Sequence, residues 1–147
     1  MPLSFNEEGL RACYKDIEAL SQEHYLEVAT NQNVRELDID WNAYFAMENL
    51  HVFTMRSDGL LVGYISIFIH NHPRYKSWIH AVSDVYYVVP EHRGPDAVKF
   101  FQWMEREVRD KYGVMAIHIQ DKIHQTRERF FTYLGYKPIE QVYEKVL

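Results

Sequence analysis

The sequence predicts an α/β (α+β) layered domain, with a central, mixed, twisted sheet and helices on both faces. Three observations carry this. Leu10, Cys13, Ile17, Leu20, His24 and Val28 recur at three- and four-residue steps, which draws one stripe along a helix. His51–Arg56 alternates as a strand, Ser57-Asp58-Gly59 reads as a hairpin turn, and Leu60–Ile69 is rich in β-branched and aromatic residues. A strand that ends at Pro90 is followed by a helical pattern and then by the short apolar run Val114–Ile119. A helix between two strands makes them parallel, with a right-handed crossover.

Taken in order, Leu3–Phe5 is a first short strand. Asn6 can cap the first helix, with Glu7 and Glu8 beside its positive end. Thr30–Leu37 is polar loop, and Asp40 can cap a second helix, Trp41–Leu50. Both faces of Leu60–Ile69 are mainly apolar, so this strand is central and covered on both sides. His70 and His72 point to one side, but no third ligand of fitting spacing follows, so no metal is assigned. Asn71–Ser77 is an exposed hairpin loop with local positive charge. In the strand Trp78–Val89, period two sends Trp78, His80, Val82, Asp84, Tyr86 and Val88 one way and Ile79, Ala81, Ser83, Val85, Tyr87 and Val89 the other. Pro90 ends it for want of an N–H. Pro95 suits a first helical position, Ala97, Phe101, Met104 and Val108 form the buried stripe, and Gly113 ends the helix after Tyr112. His124–Leu134 reads as a helix closed by Gly135, and Ile139–Val146 as a last strand.

At 147 residues the chain is expected to form one domain, 1–147, with a real core. A net charge of −5 argues against general nucleic-acid or anionic-membrane partners, which need a basic face. No apolar run approaches the roughly 20 residues of a membrane span, and the N-terminus shows no export signal. Cys13 is the sole cysteine, so no internal disulfide is possible, which suits a reducing cytoplasm. Aromatic residues reach 15%, enough to build either an apolar acceptor pocket or an oligomer interface such as a homodimer.

Two stretches carry a family resemblance. Val88-Val-Pro-Glu-His-Arg-Gly94 resembles the Val-x-Pro-Glu-Tyr-Arg-Gly that opens the acetyl-CoA loop of GCN5-related N-acetyltransferases (GNAT). Arg129-Phe-Phe-Thr-Tyr-Leu-Gly-Tyr136 resembles that family's late helix, which ends Phe-Tyr-x-x-x-Gly-Phe. The likeness covers most of the chain, is strongest from about Val52 onward, and extends to the short acetyltransferase-like proteins of tailed phages. It implies the GNAT fold, acetyl-CoA as cosubstrate, and transfer to an amine of a protein, peptide or small molecule. The setting it implies is the cytoplasm, the host's if the chain is phage-encoded. It also implies that the strand before the loop bulges and splays from its parallel neighbour, so that its backbone pairs with the pantetheine arm. Carried over, Tyr87, Val88 and Val89 would meet pantetheine. Arg93, Gly94, Pro95, Asp96, Ala97 and Val98 would meet the diphosphate at a helix start. Apart from the resemblance, Lys122 follows the strand Val114–Ile119 and could meet a phosphate or an acidic substrate, against a reading as a solvated lysine.

The sequence departs from the family pattern at several of these positions. Arg93-Gly-Pro-Asp96-Ala-Val98 stands where the family has Arg/Gln-x-x-Gly-x-Gly/Ala. Pro95 removes a donor, Val98 narrows the approach, and Asp96 adds a negative charge. At an effective dielectric near 20, like charges ~5 Å apart repel by about 3 kcal/mol; an Asp96 turned outward would instead stabilise the helix start. Phe131 stands where the family has its tyrosine general acid. The candidate base is Asp84, which could equally be a strand carboxylate paired with His80 or an arginine. His124 and His24 titrate near neutrality and are further catalytic candidates, against readings as a surface and a core histidine. Tyr86 and Tyr87 are either donors or core packing. The alternative function is a GNAT-fold binding or virion-associated protein that no longer transfers.

Overall fold

The computed structural model describes residues 2–29 and 36–147. Among them run strands β1 (Leu3–Glu8), β2 (Leu50–Ser57), β3 (Leu60–Asn71), β4 (Ile79–Val88) and β5 (Ala116–His118). The helices are α1 (Leu10–Val28), α2 (Trp41–Phe45), α3 (Pro95–Tyr112) and α4 (Glu128–Tyr133). The strands form one sheet in the order β1-β2-β3-β4-β5, antiparallel up to β4 and parallel between β4 and β5. This is the predicted mixed sheet. Its two faces hold two cores. The α1 stripe Cys13, Ile17 and Leu20 packs with Val52, Leu61, Tyr64 and Tyr87. The α3 stripe Ala97, Phe100, Phe101, Met104 and Val108 packs with Phe53, Met55, Ile65, Ile67, Ala81, Val88 and Phe131.

Helix α3 keeps the predicted boundaries for the predicted reasons. Pro95 opens it, and Gly113 closes it at φ 67° with its N–H on the Arg109 carbonyl. Asp40 caps α2 by accepting from the Ala43 amide at 3.0 Å, but the helix stops at Phe45 because β2 begins at Leu50. Asn6–Glu8 do not start a helix. They extend β1, where Glu7 faces Phe53 and Glu8 faces Val52 across the ladder. Their carboxylates have partners on neighbouring elements: Glu7 with His51 and Tyr112, Glu8 with Arg56 and Thr54. The predicted helix His124–Leu134 breaks in two, a 3-10 turn at Ile123–Gln125 and α4 from Glu128. Ile139–Val146 forms no strand in this chain, and Ile139, Val142, Tyr143 and Val146 are exposed. Most of the predicted loop Thr30–Leu37 lies outside the described residues.

Glu8 ties three elements together, since Arg56 also reaches Asp16 on α1 at 3.1 Å. Hydrogen bonding from Arg56 holds the Glu8 carboxyl below its ordinary 4.5, against the opposing effect of burial. A carboxyl with a depressed folded-state value contributes stability above its unfolded value and loses it as pH falls through the folded one. Glu8→Gln should therefore cost stability at neutral pH, and that cost should shrink as pH falls below about 4.5. Urea unfolding of both proteins across this range checks it.

Candidate active site

The site begins with one extra residue in β4. Ser66 on β3 pairs with Val85, while the next residue, Ile67, pairs with Ser83. Asp84 is left over, a β-bulge. The bulge moves the later residues of β4 to the opposite face from the one that period two predicts. Ala81 lies on the α3 face, and beyond the bulge so do Tyr86 and Val88. Val85 and Tyr87 lie on the α1 face. There the Asp84 carboxylate accepts from the Tyr44 hydroxyl at 2.9 Å and the Ser66 hydroxyl at 3.0 Å. Its partners are thus Tyr44 and Ser66, not the His80 or arginine considered from the sequence.

At the same level β4 and β5 part. Their register runs only from His80↔Ala116 to Val82↔His118. Past this point the Gln120 amide donates to the Ser83 side-chain oxygen at 3.0 Å rather than to a β4 carbonyl. A cavity of about 400 Å³ opens between the two strands. Residues 83–88 form one wall and residues 120–122 the other. Arg93, Gly94, Ala97 and Phe101 form the floor, and His24 and Glu27 come from α1. On β4 the Val89 amide is spent on the Val62 carbonyl of β3 at 2.9 Å, so strand alternation turns the Tyr86 and Val88 backbone toward the cavity.

The helix start lies open beneath. Gly94 sits at φ 113°, a region that favours glycine, and an added Cβ would meet nothing within 4 Å. The Val98 amide already bonds to the Gly94 carbonyl and Pro95 has none. The Asp96 and Ala97 amides, first in α3, find no acceptor among the described residues. The Asp96 carboxylate turns aside to the His92 ring at 2.9 Å and does not line the cavity.

Charge at the mouth is organised by Glu27, which sequence reasoning missed. Its carboxylate takes both terminal nitrogens of Arg93 (3.1 and 2.7 Å), Arg127 at 2.7 Å and Gln125 at 3.2 Å. Hydrogen bonding from Arg93 is the main cause that holds this carboxyl below the ordinary range. Arg93 also donates through Nε to the Val88 carbonyl at 2.8 Å and lies over the Tyr87 ring. Tyr87 stacks on His24 at 5.0 Å, and burial pushes the His24 ring toward its neutral form, helped by Lys122, Arg93 and Arg127 against Glu27. Glu27 stands three residues after His24 on the same helix face, the one local hint of it in the sequence.

Asp84, His24, Tyr87, Val88, Arg93, Gly94, Ala97 and Lys122 line the cavity, whereas Val89, Pro95, Asp96, Val98 and His124 do not. The His124 ring donates to the Val28 carbonyl at 3.2 Å and so closes the end of α1 rather than opening α4. Phe131 is buried among Phe101, Phe130 and Tyr136. Next to Phe131, Tyr86 lines the cavity. Its ring stands edge-on to Phe131 at 5.6 Å, and burial and Asp121 hold its hydroxyl protonated. The rings of His70, His72 and His118 surround His80, but among the described residues no three His, Cys, Asp or Glu groups are placed to hold a metal ion. No described helix is long and apolar enough to cross a membrane.

No protein-family model matches the sequence, and no curated protein matches it significantly. Solved structures do match. A ribosomal-protein-alanine N-acetyltransferase from Brucella melitensis biovar Abortus 2308 superposes with TM-score 0.78 at 14% identity, over 100% of this chain and 99% of its own. The fold is that of the GNAT acetyltransferases. A predicted acetyltransferase from Clostridium acetobutylicum, solved with acetyl-CoA, gives 0.72 at 12% identity over 99% and 96%. A transcriptional regulator from Bacillus halodurans C-125 gives 0.75 at 14% over 99% and 100%. Such identities speak for the fold alone, and chemistry has to come from the site.

The Ser83–Gln120 bond marks the fork between the strands. Ser83→Ala leaves that amide without its acceptor and should cost about 1 kcal/mol of stability. Denaturant unfolding of the variant measures this, and an unchanged midpoint would mean that the fork is held by other groups.

Proposed function

We propose that this protein transfers an acetyl group from acetyl-CoA to an amine of a protein, peptide or small-molecule acceptor. The observation that carries the reading is the fork: β4 and β5 part at the bulge, directly above an open helix start with uncommitted amides. The chain's own groups suit a long thioester with a diphosphate. The Tyr86 and Val88 backbone can pair with an amide-bearing arm along the β4 wall. The Asp96 and Ala97 amides, the dipole of α3, Arg93 and Lys122 suit the diphosphate. Gly94 leaves the space for its approach. Phosphate oxygens would replace the Glu27 carboxylate on Arg93.

Bound acetyl-CoA would supply an activated acetyl carbon and a thiolate leaving group. Asp84 on the α1 side can hold an incoming ammonium group and receive its proton, directly or through water. His24, neutral and stacked on Tyr87, is a second acceptor. The acceptor nitrogen forms its bond to the acetyl carbon as the carbon–sulfur bond breaks, and the sulfur needs a proton. Phe131 cannot give one, and Tyr86, its cavity-lining neighbour, carries a hydroxyl that can.

A second reading is a GNAT-fold binding protein without transfer, which the buried, hydroxyl-free Phe131 favours. Thermal unfolding separates part of the question. Acetyl-CoA at a hundred times its Kd should add about 2.7 kcal/mol of stability, and no shift at millimolar cofactor would remove the cosubstrate from the account. Asp84→Asn should lower kcat at least tenfold while leaving the acetyl-CoA Kd within about twofold, since a base acts on the acceptor and not on the thioester. Steady-state kinetics and calorimetry give the two numbers.

A further inference from the structure

The strands that form the fork are joined by a very short ladder. It runs His80↔Ala116, Ala81↔Ile117 and Val82↔His118, and the Met115 amide extends it by one bond, to the Ile79 carbonyl at 2.8 Å. Histidines sit across this ladder. The rings of His80 on β4 and His118 on β5 are 5.2 Å apart. His70, the partner of His80 across the β3–β4 ladder, lies 6.5 Å from it, and so does His72 from the loop that follows β3. Four imidazoles therefore gather where β4 and β5 are joined, with His118 in the last pair before the fork.

The sequence around the cluster is poor in acid. From Gly59 to Ser83 and from Gly113 to Gln120 the chain has no Asp or Glu, whereas the β3–β4 loop adds Arg74 and Lys76. On the β2 side the Ile69 amide bonds to the Asn49 carbonyl at 3.0 Å, which brings Glu48 to this end of β3. The charges that act on His80 are nevertheless those of His118, His70 and His72. Burial and these three rings favour its neutral form, and its Nδ1 is buried with no hydrogen-bond partner among the described residues. His72 is committed to an unprotonated Nδ1 by another route. That atom accepts the Arg74 amide at 3.0 Å and so caps the 3-10 turn Pro73–Tyr75, a bond that a proton there would end. We propose that the four histidines form a pH-sensitive latch on the fork: neutral rings let the three-residue ladder close, and protonated rings push β5 away from β4. The sign follows from the cluster. A histidine that is harder to protonate when the ladder is closed takes up its proton more readily when the ladder is open. The latch is therefore complete above the ordinary histidine value of about 6.5 and weakens as pH falls below it. It needs no cofactor, so it does not rest on the acetyl-transfer reading.

Amide hydrogen exchange of the full chain, followed by NMR and expressed as protection factors, tests the latch. Between about pH 7.5 and about pH 5.5, protection of the Met115 amide and of the β5 amides should fall about tenfold, while that of the β2–β3 ladder changes by less than about twofold. In His118→Gln, which keeps a neutral polar side chain, most of the fall at β5 should disappear. An unchanged β5 in the natural chain, or an equal fall in the variant, would overturn the proposal. A second measurement needs no variant. The ring-nitrogen shifts of His80 and His118, recorded in the natural chain over the same titration, should move with the loss of protection. Loss of protection while both rings stay neutral, or protonation of both with β5 still protected, would contradict the latch.

Discussion

One inserted residue governs the functional half of this molecule. Without Asp84 as a bulge, β4 would continue in register against β3, and Tyr86 and Val88 would point into the α1 layer instead of the α3 layer. The bulge also bends the strand at the level where its pairing with β5 ends. The cavity between the strands, the carboxylate above it and the backbone facing it share this one cause. Tyr44 and Ser66 hold the bulged carboxylate in place from α2 and β3, so the irregularity is supported on both sides.

The electrostatics of the mouth are arranged around the same opening. Glu27 reaches from α1 across to Arg93 on the β4–α3 loop and Arg127 before α4, and so pins three elements with one carboxylate. The pair is partly exposed, so its worth lies in placing the guanidinium groups at the cavity rather than in net stability. Asp96 bonds to His92 beside the helix start, so its carboxylate does not line the cavity. The cavity thus carries Arg93, Lys122 and Arg127 beside Glu27, Asp84 and Asp121 in a chain of net charge −5.

Much of the fold was legible because it is written in local patterns. The α1 stripe, the Ser57–Gly59 turn, and Pro95 and Gly113 at the ends of α3 each state their meaning within a few residues. The bulge was not legible, because an extra residue changes no composition and period two reads straight through it. The Glu27–Arg93 pair joins residues 66 apart, a separation at which no spacing rule operates. Asn6–Glu8 looked like a helix start because the same acidic residues serve a dipole or a strand ladder equally well. Ile139–Val146 has the composition of a strand, but strand structure requires a partner edge, and none is in reach of a local pattern.

The central claim is that the fork grips a thioester cofactor by its backbone. Backbone amide NMR of the labelled protein titrated with coenzyme A tests it most directly. The account predicts that the Tyr86, Val88, Asp96 and Ala97 resonances move together and saturate, while those along the outer edge of β5 stay in place. Saturable binding that leaves those four amides unmoved, or shifts confined to surface lysines, would contradict it.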